Sequence, residues 1–202
     1  MAADLSSPEA AERLARWSAD QSVDAVILNA ATNYYGPALE QPLSSLQRLL
    51  ATNVTALAEL ALRFGQHFAA RPEGGRLMLV SSVASFSPVP YQATYAATKA
   101  FVTSLGLAIG QELRGSGVVI TVFAPGFMPT PMLDRTELSA NAKLSWLGRL
   151  SVERAARLGL RAMRRGAPLA VPGLMNKLIV FLARRSPLRM VLSFCERLYR
   201  QP

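Results

Sequence analysis

Short apolar runs alternate with longer stretches of helical period along most of the chain. Val23 to Asn29 (VDAVILN), Arg76 to Ser81 (RLMLVS) and Val118 to Ala124 (VVITVFA) have strand length and are bounded by turn-forming or polar residues. They predict buried strands. Between them, Leu43 to Ala70 repeats its apolar positions at helical spacing, with Pro42 near its start and Pro72 beyond its end. Gln92 to Arg114 reads as a second long helix, stopped by Gly115 and Gly117. After Pro125-Gly126 the chain is mostly polar and helical to Gly166; Pro168 to Val171 is strand-like, and Pro172-Gly173 introduces a basic helical tail. Strand, helix, strand, helix, strand with connections this short predicts right-handed parallel crossovers, an open α/β sheet covered by helices. Ligands of such sheets bind beyond the carboxyl ends of the strands. Asn29-Ala30-Ala31, Ser81-Ser82 and Pro125-Gly126 stand at those ends.

Composition narrows the class. With 202 residues, half of them apolar, the chain can bury one sizeable core, which speaks against a disordered chain. One Cys and one His exclude a disulfide framework and a Cys/His metal centre, so no metal is expected and a reducing, cytoplasmic setting is. Cys195 reads as a small buried residue and His67 as a surface or interface residue. The longest apolar stretch near the C-terminus, Leu178 to Ala183, is far below the roughly 20 residues that cross a bilayer. The net charge of +9 is uneven: residues 1–142 carry a net −2 and residues 143–202 a net +11. In that second part Arg164, Arg165, Arg184, Arg185, Arg189, Arg197 and Arg200 flank short apolar stretches, a pattern that suits an anionic membrane surface better than nucleic acid. The tail, residues 174–202, is therefore expected to be a basic amphipathic unit beside a domain spanning residues 1–173, peripheral on a membrane at most.

Candidate chemistry centres on Tyr95 and Lys99. Four apart on a helix, they share one face about 5 to 6 Å apart, so an ammonium lies near a phenol. A tyrosine of pKa about 10 is roughly a thousandth ionised at pH 7, and each unit by which a cation lowers that pKa favours phenolate by about 1.4 kcal/mol. Ser82, thirteen positions earlier at the end of a predicted strand, can bring its hydroxyl beside the phenol through the intervening loop. Two hydroxyls could then grip one oxygen.

Gly75-Arg-Leu-Met-Leu-Val-Ser-Ser82, Tyr95-Ala-Ala-Thr-Lys99 and Pro125-Gly-Phe-Met-Pro-Thr130 resemble, in order and spacing, the signatures of the classical short-chain dehydrogenase/reductase family. The resemblance runs from about residue 4 to 130 and more loosely over Pro168 to Gly173, and includes Asp4-Leu5, Asn29-Ala30-Ala31 and Asn53-Val54. It implies a Rossmann-type fold and an NADP- or NAD-dependent oxidoreductase that interconverts a secondary alcohol and a ketone. Tyr95 would be the general acid or base, Ser82 would polarise the carbonyl, Lys99 would lower the Tyr95 pKa and hold the nicotinamide ribose, and Asn53 would anchor a water in a proton relay. Asp4 and Leu5 would contact the adenine region, Asn29, Ala30 and Ala31 the adenosine side, and Pro125, Gly126, Met128 and Thr130 the carboxamide. Ser82, Ala84, Gln92, Tyr95, Phe127, Met132 and Trp146 would face the substrate, and the apolar Phe127, Met132, Leu144, Trp146 and Leu147 suggest a lipid-like, steroid-like or acyl ketone. Family members commonly pair through the two long helices, so a homo-oligomer is expected.

Departures qualify the likeness. Ala31 and Ala56 replace small glycines of the family pattern, and Thr121 stands where Asn is common. The family's first strand, Gly-rich phosphate loop, first helix and second strand should precede Asp4, and no Gly-x-Gly-x-x-Gly occurs in these 202 residues. The sequence therefore reads as a truncated sheet with an exposed apolar edge at its first strand. The alternative to a working enzyme is a catalytically impaired fragment that serves as a binding or membrane-surface module.

Overall fold

The computed structural model describes residues 1–19, 21–130 and 150–200. Four parallel strands, β1 (Ala25–Leu28), β2 (Gly75–Val80), β3 (Val118–Phe123) and β4 (Leu169–Ala170), form one sheet in the order β1-β2-β3-β4. Helix α1 (Ala10–Ala19) precedes β1; α2 (Leu43–Leu50) and α3 (Leu57–Ala69) lie between β1 and β2; α4 (Ala93–Glu112) joins β2 to β3. Beyond β3 come α5 (Val152–Arg164), β4, α6 (Leu174–Arg185) and α7 (Leu188–Tyr199).

Alternation along the strands sorts the core into two layers, as the period of two requires. Leu77 and Leu79 of β2, with Val118 and Ile120 of β3, join Leu57, Leu60, Phe64 and Phe68 of α3 and Val102 and Ile109 of α4. On the opposite face Met78 and Phe123 pack with Ala155 and Met163 of α5. Helix α4 lies close to the sheet because Gly106 has no side chain: a Cβ there would stand 2.6 Å from Val122 Cγ2. Gly74, at φ +67, turns the chain into β2 against the backbone of Gly117, where any side chain would collide.

Two expectations need correction. The first strand is shorter than VDAVILN and is not buried on both faces; among the described residues it is the exposed apolar edge expected of a truncated sheet, with Ile27 46% exposed. Its α3 side is covered through Val26 and Leu28, whereas the layer on the other face gathers on β2, β3 and β4. The long helix from Leu43 is also interrupted, by a π-helical stretch at Ala51–Ala56 that contains Asn53. Periodicity alone cannot register that insertion, because the apolar residues recur at helical spacing on either side of it.

Candidate active site

The crevice opens where β1, β2 and β3 end. Beyond β2 the pleat sends Ser81 and Ser82 to opposite sides. The buried Ser81 hydroxyl donates to Lys99 O at 2.9 Å and lies 2.7 Å from Thr103 Oγ1, fastening the strand end to α4. Ser82, the N-cap of a short 3-10 turn at Val83–Phe86, accepts from Ala84 N at 3.2 Å and faces a cavity of about 730 Å³. Tyr95 and Lys99 reach the same cavity from α4. Further out, the walls come from α6 and α7, with Leu178, Ile179, Val191, Cys195 and Tyr199 among them.

Lys99 is 2% exposed, and its Nζ donates to Val80 O at 2.9 Å, 5.7 Å from the centre of the Tyr95 ring. Burial pulls its pKa down to about 8. The phenol moves opposite to the expected direction: burial pushes Tyr95 up to about 12, while a hydrogen bond with the Ser82 side chain pulls the other way. The reason is packing. Tyr95 joins Tyr199 of α7 against Ala84, Val89 and Ala96, and the low-dielectric surroundings disfavour phenolate more than the neighbouring groups favour it.

Asn53 does not line the cavity. It is fully buried; its Oδ1 accepts from Thr32 N at 2.8 Å, and its Nδ2 donates to Thr32 O at 2.9 Å and to Thr98 Oγ1 at 3.2 Å. Both amide hydrogens are thus committed, and the side chain clasps the loop after β1 instead of presenting a free amide to water.

Asn29, Ala31, Ala84, Gln92, Pro125, Gly126, Phe127, Met128 and Thr130 do line the cavity with Ser82, Tyr95 and Lys99. Gln92 is held by Nε2 donating to Asn33 Oδ1 at 3.1 Å. Ala30 is exposed and outside the lining, and Leu5 packs on the α3 core. Asp4 is an exposed turn residue whose carboxylate accepts from the Ser6 N–H and hydroxyl, which lowers its pKa. Met132, Leu144, Trp146 and Leu147 lie outside the described residues.

What the sequence reading missed is the wall from α6 and α7. Met175, Leu178, Ile179 and Leu182 recur at i, i+3, i+4 and i+7, a stripe that signals one inward face. Gly126 fits this wall tightly, since a Cβ there would overlap the carboxamide of the buried Asn176, whose Nδ2 donates to Pro172 O at 2.8 Å.

The family model for short chain dehydrogenases matches residues 1–141. Probable oxidoreductase EphD of Mycobacterium tuberculosis is 32% identical over 139 residues, covering 68% of this chain and 24% of that protein. The 1-deoxy-11-beta-hydroxypentalenate dehydrogenase of Streptomyces exfoliatus is 32% identical over 135 residues, 65% of this chain and 49% of that one. The chain thus spans between a quarter and half of the length of these curated relatives. A solved 7beta-hydroxysteroid dehydrogenase shares the fold at TM-score 0.79 and 23% identity, over 96% of this chain and 74% of that one. A short-chain dehydrogenase from Sphingobium yanoikuyae in complex with NADPH matches at TM-score 0.77 and 26% identity, over 85% and 66% of the two chains. The Rossmann-type sheet, the order of the three signature segments and the match over residues 1–141 together place this chain in the short-chain dehydrogenase family.

Proposed function

We propose that the cavity is the alcohol and ketone site of an oxidoreductase that uses NADP or NAD on apolar substrates. The observation that carries this reading is the convergence of Ser82, Tyr95 and Lys99 on one cavity with mostly apolar walls. The donor set suits the nicotinamide half of the cofactor. Asn29 and Ala31 line the cavity beyond β1 and Pro125 to Met128 beyond β3, as a sheet that binds a dinucleotide at its strand ends requires. Among the described residues the only hydrogen bond of Lys99 Nζ goes to Val80 O, which leaves two N–H groups for ribose hydroxyls. Thr130 and the backbone after Pro125 would hold the carboxamide.

When bound, the nicotinamide supplies or accepts hydride at the carbon of the substrate. The chain's own residues manage the oxygen and the proton. Ser82 donates to the carbonyl oxygen and orients it, and Tyr95 transfers its phenolic proton to that oxygen in reduction. The Lys99 ammonium favours the phenolate that remains. With Asn53 committed to Thr32 and Thr98, a relay through this residue would leave from the backbone of its π-helical stretch, where the i to i−4 pattern is interrupted. Ile179 and the buried Val191 add apolar wall to the same cavity. The homo-oligomer belongs to the same proposal; exposed Leu62 on α3 and Phe101 and Leu107 on α4 support pairing through these helices.

The test is loss of NADPH absorbance when the 202-residue chain meets a bulky apolar ketone. Tyr95→Phe should lower turnover on the order of 100-fold to 10,000-fold and leave nucleotide affinity intact. Because Tyr95 is held at about 12, it stays protonated through neutral pH. Ketone reduction should be flat from mildly acid to neutral solution and decline as Lys99 loses its proton near about 8, while alcohol oxidation should climb with pH as phenolate grows. Undiminished reduction by Tyr95→Phe would refute the assignment, and failure of the whole chain to bind either nucleotide would favour the impaired module.

A further inference from the structure

Helices α6 and α7 present two apolar surfaces, and one of them has no partner among the described residues. Leu174, Phe181 and Leu188 are 85%, 55% and 58% exposed and lie outside the cavity lining. Met175, Leu178, Leu182, Met190 and Phe194 line the cavity and are nevertheless 48% to 64% exposed. Residues that do both form the rim of an opening, so the mouth of the cavity is continuous with the outer apolar surface. Monomeric proteins rarely expose a patch of this kind without a binding role.

Charge selects the occupant. Residues 174–200 carry Lys177, Arg184, Arg185, Arg189, Arg197 and Arg200 against a single acidic residue, Glu196, which pairs with Arg200. Lys177, Arg184, Arg185, Arg189 and Arg197 are all exposed. The cations are interleaved with the apolar groups; the Arg185 guanidinium stands over the Phe181 ring at 5.4 Å. A two-fold contact with a second copy would set this basic surface against itself, and like charges opposed across an interface disfavour it. An anionic lipid surface satisfies both features, taking apolar side chains below its headgroups and cations among them.

We propose that α6 and α7 dock the protein on an anionic membrane and that the cavity takes its substrate from the lipid through the mouth they frame. The second part rests on the reading of the cavity as a site for apolar ketones; the docking does not.

The experiment is co-sedimentation of the 202-residue chain with vesicles of phosphatidylglycerol and phosphatidylcholine, or of phosphatidylcholine alone. Binding should require the anionic lipid, weaken in high salt without disappearing, and fall in Phe181→Ser/Leu188→Ser. Each basic side chain near such a surface is worth roughly fivefold in partition, so Arg184→Ala/Arg185→Ala/Arg189→Ala should lose on the order of 100-fold. Circular dichroism controls for folding, and the exposed sites leave the core untouched. Cys195, the only cysteine of the sequence, lines the cavity. A long-chain alkyl maleimide dissolved in anionic vesicles should label it faster than a charged, water-soluble maleimide does, and the arginine variant should erase that advantage. Tyr95→Phe should bind vesicles as the parent does, which separates docking from catalysis. Equal binding to both vesicle types, undiminished binding of the arginine variant, or a dimer in solution that buries Phe181 and Leu188 would overturn the docking. Faster labelling by the charged reagent would overturn the lipid-side entry.

Discussion

Lys99 is an ammonium held inside the fold, 2% exposed, with one hydrogen bond to Val80 O among the described residues. Its pKa is about 8 against an ordinary 10.5. Below the folded value both states carry the proton, so the whole desolvation penalty acts on the native state. Between about 8 and 10.5 the unfolded chain still binds a proton that the folded chain has released, and stability rises with pH. Lys99→Met should therefore abolish turnover yet stabilise the protein at pH 7 by about 1–2 kcal/mol after loss of the Val80 bond, several degrees in Tm. The gain should shrink toward pH 10. Thermal melts across that range check it, and a variant less stable at pH 7 would show that the ammonium is better solvated than its burial implies. Tyr95 has the opposite sign: with its pKa raised from 10.0 to about 12, its contribution is complete below the unfolded value and is lost as pH climbs through the folded one.

At the level of elements, the site depends on two close fits that no single residue advertises. The π-helical stretch Ala51–Ala56 turns Asn53 toward the loop after β1, where it satisfies Thr32 N and Thr32 O. Asn53→Ala would leave these part-buried groups without their partner and should cost about 1–2 kcal/mol by denaturant titration, with a rise in KM from the loosened Asn29 and Ala31 wall. Helix α4, which carries Tyr95 and Lys99, is seated on the sheet through Gly106 against Val122 and Leu79, both fully buried. Gly106→Val should cost about 1–3 kcal/mol by overpacking and should reduce kcat, because the helix that moves away takes the phenol from Ser82. Stability unchanged in both variants would mean that neither fit constrains the site.

Across the whole molecule, α7 forms one wall of the cavity and is tied to segments far from it in sequence. Tyr35 Oη donates to Tyr199 O at 2.6 Å, and Arg200 Nε donates to Tyr91 Oη at 3.3 Å. These two latches hold α7 to the loop after β1 and to the segment before α4. The Tyr199 ring packs against the same Ala84, Val89 and Ala96 cluster as Tyr95. Tyr35→Phe/Arg200→Ala should raise amide exchange in α7 by roughly thirtyfold, at about 1 kcal/mol per latch, with little change at β2 and β3. The Tyr95 pKa should drift back toward its ordinary value. Uniform exchange across the sheet and α7 would instead make this helix part of the global cooperative unit.

The sequence by itself determined the parallel sheet, because runs such as RLMLVS and VVITVFA admit only a strand between two helical covers. It also made a meeting of Ser82, Tyr95 and Lys99 feasible, through a strand end and a four-residue helical step, and the resemblance of the motif order implied it. Local period and spacing carry that information, and the motif order repeats it. Only the tertiary structure decided the sign of the Tyr95 shift, the engagement of Asn53 and the part played by α6 and α7. Each of these depends on what packs from a distant part of the chain: Tyr199 with Tyr95, Thr32 against Asn53, Asn176 against Gly126. Desolvation and hydrogen-bond partnering are properties of an environment, and a linear pattern of residues names its members without saying which of them become neighbours.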